Sequence, residues 1–115
     1  MSINEVAEGL VGLCKEGKFR EAIDSYYAND IVSVEAHGDP REVRGIDAIR
    51  GKQEWFANTF EVHGASCEGP WINEPYFIAK FEIDVTDKGS GNRMTMNEHA
   101  VYEVRDGKIV HERFF

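Results

Sequence analysis

Cysteine is scarce. Cys14 and Cys67 lie far apart and in no C-x-x-C pairing, so the chain offers neither a disulfide framework nor a thiolate metal knuckle. Cys14 falls on the apolar stripe of a helix, which makes buried free thiols the expectation. Positive charge is in deficit as well: 13 Lys and Arg stand against 21 Asp and Glu, a net charge of −8. Such a balance repels phosphate backbones and anionic lipid, so neither nucleic acid nor membrane is an expected partner. No apolar run approaches a membrane span. The opening MSINEV has no basic stretch leading into an apolar one, so no signal peptide is expected and the cytoplasm is the expected location. Repeats, linkers and low-complexity tracts are missing. So are a glycine-rich phosphate loop, a G-x-S-x-G elbow and a reactive-cysteine context. His37, His63, His99 and His111 show no H-x-H or HExxH spacing, so no metal and no cofactor are expected.

What is present is ordinary for a folded chain: 115 residues, 42% apolar and 30% charged. That length forms one domain, residues 1–115, burying roughly two-thirds of its unfolded surface without a metal or disulfide. Ser2 and Glu5 have capping-box spacing. Ile3, Val6, Ala7, Leu10, Leu13 and Cys14 then recur at helical steps until Gly17 offers a left-handed stop. A second helix is predicted from Phe19 to Tyr27, a strand over DIVSVEA, and a polar loop HGDPREVRG before a third helix from Ile46 to Val62. From residue 65 the period changes to two. A strand over 65–73 bends near Gly69-Pro70, and YFIAKFEIDVT turns Phe77, Ala79, Phe81, Ile83 and Val85 to one face. The next strand places Met94, Met96, Glu98, Ala100, Tyr102 and Val104 inside. Asp106-Gly107 then signals a tight hairpin into KIVHERFF. Helix, helix, strand, helix and four meandering strands make an α+β fold with helices over one face of a curved antiparallel sheet.

That order, with YAND before the first strand, GIDAI opening the third helix and VRDGKIV at the final hairpin, resembles the nuclear transport factor 2-like superfamily, and within it the SnoaL-like group, over essentially the whole chain. The resemblance implies a cone-shaped curved antiparallel sheet covered by three N-terminal helices, an α+β barrel of the NTF2-like or cystatin-like kind, enclosing an apolar pocket in a homodimer. Members include polyketide cyclases, steroid isomerases, dehydratases, epoxide hydrolases and binding modules, and fold alone does not choose among them. The outer sheet face mixes Ile78 and Val101 with Lys80, Glu82, Thr95 and His99, a composition able to form a modest interface.

Three carboxylates are candidates. Counted without gaps from Tyr27, Glu35 falls where the steroid isomerases carry an aspartate base, and Tyr27 on a tyrosine of their hydrogen-bond network; matching on the VE dipeptide puts Ala36 at the base position instead. Glu35 is then either a base raised by desolvation toward the working pH or a surface group paired with Arg41 or Arg44. Glu98 is the one charged member of an apolar inner face. It must be protonated, paired, for instance with Arg113, or set in a water-filled cavity. The resemblance places a proton-donating acid at Glu98 or at Ala100, depending on one hairpin gap. Glu112 depends on the hairpin register: a plain two-residue turn sets it opposite Val101, facing away from Glu98, and this structural or solvent-facing placement is the expected one, whereas a bulge would bring the two together. The oxyanion tyrosine of the isomerases would fall on Leu10, which donates nothing, so steroid isomerisation is disfavoured. Catalytic roles are assigned to Glu35 as base, Glu98 as proton donor and Tyr27 as orienting hydroxyl. Trp55, Phe56, Phe60, Trp71, Phe77, Phe81, Met96 and Tyr102, with Glu112, are the candidate walls for a small-molecule ligand, against the default that most of the aromatics fill a core. The function expected is a pocket protein, either a cofactor-independent acid–base enzyme on an apolar or polyketide-like substrate or a non-catalytic ligand-binding or dimerisation domain.

Overall fold

Ser2 starts the first helix as its spacing requires. Its hydroxyl accepts from the Glu5 N–H at 3.2 Å, and the Glu5 carboxylate accepts from the Ser2 N–H at 3.2 Å. The structure, a computed structural model, describes all residues from Met1 to Phe115. Helix α1 runs over Ile3–Lys15 and buries Ile3, Val6, Ala7, Leu10, Val11 and Cys14, one stripe at three- and four-residue steps. Gly17, at φ +75°, ends it in the left-handed conformation that costs glycine little. Helix α2 (Phe19–Tyr26) is short and buries only Ala22 fully. Helix α3 spans Ile46–Thr59. No helix is long and apolar enough to cross a membrane.

The strands are β1 (Tyr27–Val34), β2 (Glu42–Arg44), β3 (Phe60–Asn73), β4 (Tyr76–Asp87), β5 (Arg93–Arg105) and β6 (Lys108–Phe114). They form one curved, unclosed six-stranded sheet in the order β2-β1-β6-β5-β4-β3. All neighbours are antiparallel except β1 and β6, which run parallel, so the expectation of a purely antiparallel sheet is corrected at that pair. Helix α1 packs across β3 and against α2, while α3 leans on β1, β2 and β3.

Three boundaries differ from the sequence-based expectation. The first strand begins at Tyr27 and ends at Val34. The loop after it contains β2, which pairs Val43 with Ser33. The third helix stops at Thr59, because Phe60, Glu61 and Val62 are drawn into the ladder opposite Asp87, Thr86 and Val85, where tertiary pairing overrides helical periodicity. The β4 and β5 alternation is as read over most of its length: Phe77, Ala79, Phe81 and Val85 are buried, as are Ala100, Tyr102 and Val104, whereas Met94, expected inside, is 39% exposed near the start of β5. Phe77 and Tyr102 face each other across the ladder with rings stacked at 4.7 Å and 20°.

The β5–β6 hairpin sets the site. Asp106 (φ 52°) and Gly107 (φ 75°) make the expected two-residue turn. Val104 pairs with Ile109, and then the register slips between Glu103 and Val104, so that Glu103 meets His111 and Tyr102 meets Glu112. One extra residue on β6 reverses the side to which Glu112 points. The expectation of a solvent-facing Glu112 is thereby corrected: it lies inside, 3% exposed, as a buried structural acceptor for Tyr27 and Ser33 rather than as a cavity wall.

Candidate functional site

Between the helices and the inner sheet face lies a cavity of about 140 Å³. Its walls are Leu10 and Cys14 of α1, Phe19, Ala22 and Ile23 of α2, Tyr27 of β1, Phe81 and Ile83 of β4, Glu98 and Tyr102 of β5 and Phe114 of β6. The hydrogen bond with Cys67 and then burial push the Cys14 thiol up, so it adds an inert wall. Leu10 is an apolar wall with no hydrogen bond to give.

Glu98 is the one carboxyl among the cavity walls. Strand β5 brings it there by the same alternation that buries Ala100 and Tyr102, and it stands opposite Phe81. It is half-buried and has no hydrogen bond or ion pair to quiet it. Arg113 is turned away, its guanidinium 5.3 Å from the Phe115 ring. Burial raises the Glu98 carboxyl above its ordinary range, and the negative charges of Glu35 and Glu112 add to this while Lys52 opposes it.

Behind the wall runs a chain of polar groups. The Tyr27 hydroxyl donates to Glu112 Oε1, and the Ser33 hydroxyl donates to Glu112 Oε2 at 2.6 Å. Ser33 Oγ in turn accepts from Lys52 Nζ at 2.9 Å, and Lys52 pairs with Glu35. Backbone register explains the set. Ile31 and Ser33 share the inner side of β1, and Ser33 is the partner of Glu112 across the parallel β1–β6 ladder. Burial raises the Glu112 carboxyl, with Ser33, Tyr27 and Lys52 pulling against it. Burial and the neighbouring Glu112 keep the Tyr27 phenol well above its ordinary value, so it remains a donor. Each bond in such a chain polarises the next.

The structure thus brings together Glu98, Tyr27, Phe81 and Tyr102 at the cavity, with Glu112 one layer behind Tyr27. Phe77 lies beneath Tyr102 as core, and Met96 is half-buried beside the wall residue Ile83. The aromatic walls expected from α3 and β3 are corrected: Trp55 is 61% exposed and Trp71 53% exposed, and Phe56 packs on Phe60 at 4.9 Å away from the cavity. Trp55 follows six residues after Ile49, the residue that anchors α3, and so lies about 120° round the helix from it. Glu35 does not stand alone as a base, because Lys52, and neither Arg41 nor Arg44, holds its carboxylate. Lys52 and Ser33 escaped sequence reasoning. A signal was present for Lys52: it sits three residues after Ile49 and four before Phe56, on the packed side of the helix. No three His, Cys, Asp or Glu side chains converge as metal ligands.

The SnoaL-like domain family matches residues 1–115. A candidate SnoaL-like polyketide cyclase of Mesorhizobium loti, also labelled a carbohydrate phosphatase, is 42% identical, with 100% of this chain and 99% of that one covered and a TM-score of 0.96. A candidate SnoaL-like polyketide cyclase of Jannaschia sp. CCS1 shares 17% identity over 100% of this chain and 88% of that one, with a TM-score of 0.76. A Catenulispora acidiphila protein with a ketosteroid isomerase-like fold, crystallised with trimethylamine, shares 15% identity over 99% and 86% of the two chains, with a TM-score of 0.75. The last two establish the fold alone. No curated protein matches. With three helices over a curved sheet, a family match from end to end and a 42% identical relative of the same fold, the chain belongs to the SnoaL-like domain family.

Proposed function

We propose that the chain is a cofactor-independent acid–base enzyme for a small apolar carbonyl compound, with Glu98 as the proton-transfer group. The observation that supports this most is Glu98 itself, a carboxyl without a partner in an otherwise apolar cavity. Such a group holds its proton at higher pH than a solvated acid does, which suits it to proton transfer. In this reading the Glu98 carboxylate takes a proton from a carbon next to the carbonyl, and the negative charge passes to the carbonyl oxygen. The Tyr102 hydroxyl at the wall is the donor offered to that oxygen, because Tyr27 has a single proton and gives it to Glu112. Glu98 then returns the proton to another carbon, which is isomerisation, or to a departing hydroxyl, which is dehydration. Glu112 and Ser33 hold the Tyr27 ring in place, and Lys52 with Glu35 sets the charge beside Glu98. A cavity of this size is close to the roughly 150 Å³ that holds one benzene-sized molecule, so a larger polyketide-like substrate would insert only its reacting end.

The test is exchange of α-protons for deuterium in small cyclic ketones, followed by proton NMR in D2O. Exchange above the buffer rate that saturates with ketone supports the reading. Exchange at the buffer rate, with a ketone shown by chemical-shift perturbation to be bound, favours a domain that holds its ligand unchanged.

We also propose a homodimer formed through the outer sheet face. Trp71, Ile78 and Val101 form a row across three adjacent strands on that face, with Trp71 and Ile78 exposed; aromatic and aliphatic rows of this kind are enriched at interface centres. Light scattering is expected to give about twice the 13.0 kDa chain mass, and Trp71→Asp to return the single-chain value. A wild-type protein that is monomeric at micromolar concentration removes the proposal.

A further inference from the structure

We propose that the cavity accepts a compact alkylammonium group, the cationic end of a small amine, seated between the aromatic walls and the Glu98 carboxylate. This rests on the reading of the cavity as a ligand site, but not on catalysis there. Five of the eleven wall residues are aromatic, Phe19, Tyr27, Phe81, Tyr102 and Phe114, and an aromatic ring attracts a cation placed over its face. One of them already has a cation over its face: Lys52 Nζ lies 5.5 Å from the Phe114 centroid.

Charge adds to shape. The groups that act on Glu98 are Glu35 at the end of β1, Lys52 of α3 and Glu112 of β6, so Glu35, Glu98 and Glu112 share a single ammonium. A cation entering the cavity supplies the missing charge, whereas an anion adds to three carboxyl groups that have one ammonium among them. The volume, near 140 Å³, suits a nitrogen with three methyl groups and leaves no room for the cation to keep a full shell of water. Because the ammonium pairs with ionised Glu98, its entry displaces the proton that burial helps Glu98 to keep. Binding therefore strengthens as pH rises through the Glu98 titration, and protons are released.

Isothermal titration calorimetry of the full chain with trimethylammonium chloride, against tert-butanol as an uncharged group of similar shape and at matched ionic strength, tests this. Trimethylammonium is expected to bind at least ~10-fold more tightly than tert-butanol. Its heat should vary with the ionisation enthalpy of the buffer, and Glu98→Gln should lose at least ~10-fold for the cation only. The wild-type pH dependence keeps the test decisive if the variant folds poorly. Equal or tighter binding of tert-butanol overturns the inference and leaves the ligand-site reading standing. Binding of neither overturns both. Cation binding that is indifferent to pH and to Glu98→Gln overturns the seat assigned here.

Discussion

Glu98→Gln is expected to slow α-proton exchange by about 10²- to 10⁴-fold, the usual range for loss of a positioned general acid–base group, while leaving the chain folded and no less stable at neutral pH. Gln matches Glu in size but neither takes nor gives a proton in the working range. The loss should therefore appear in kcat, with KM little changed. Stability should move in the opposite sense. The Glu98 carboxyl is raised above its ordinary value of 4.5, so the folded chain binds this proton more tightly than the unfolded chain. Its contribution is fully present below about 4.5 and fades as pH rises through the folded-state value. Wild type should lose stability over that window relative to Glu98→Gln, which has no proton to lose. Kinetics and urea denaturation between pH 4 and 8 measure both halves. Exchange within twofold of wild type would falsify the assignment of Glu98.

The largest expected effect on stability is that of Glu112→Ala, about 3 kcal/mol or more by urea denaturation. The carboxylate is the acceptor for both Tyr27 and Ser33. Its removal strands two hydroxyls inside the protein at about 1–3 kcal/mol each and opens a void between β1 and β6. Release from the strain of burying a charge offsets part of this. Glu112→Gln keeps the shape and one acceptor oxygen, and should recover most of the loss. The pH dependence again has a definite sign. Glu112 is raised by burial, so wild type is favoured by this group at low pH and loses that advantage as pH rises, and the gap to Glu112→Ala is widest in acid. A gap below about 0.5 kcal/mol at pH 5, the scale of a surface substitution, would show that Tyr27 and Ser33 find other partners.

Much of the cavity was legible in the residues. Period-two alternation put Phe81, Glu98 and Tyr102 on the inner face, and they stand there, because a strand with one buried side leaves little freedom in facing. The resemblance drew attention to Tyr27, which reaches the cavity. Glu35 was recognised as a carboxylate near the site, but not its partner, since Lys52 comes from a helix 17 residues later and one crossover away. The bulky aromatics Trp55 and Trp71 misled. Size and hydrophobicity say that a side chain gains from burial, not that the fold has a place for it, and a single exposed aromatic is common on folded surfaces.

The sequence by itself determined the elements and their facings: the capped α1 stripe, the two inner-facing strands and the tight turn at Asp106-Gly107. These depend on contacts between near neighbours, which local periodicity and backbone preference encode. Only the tertiary structure decided the polar chain from Lys52 through Ser33 to Glu112 and Tyr27, and the side to which Glu112 points. The reason is physical. One extra residue in β6 inverts a strand's facing, and where that residue is absorbed depends on how β1, β5 and α3 pack around it, not on the letters on either side.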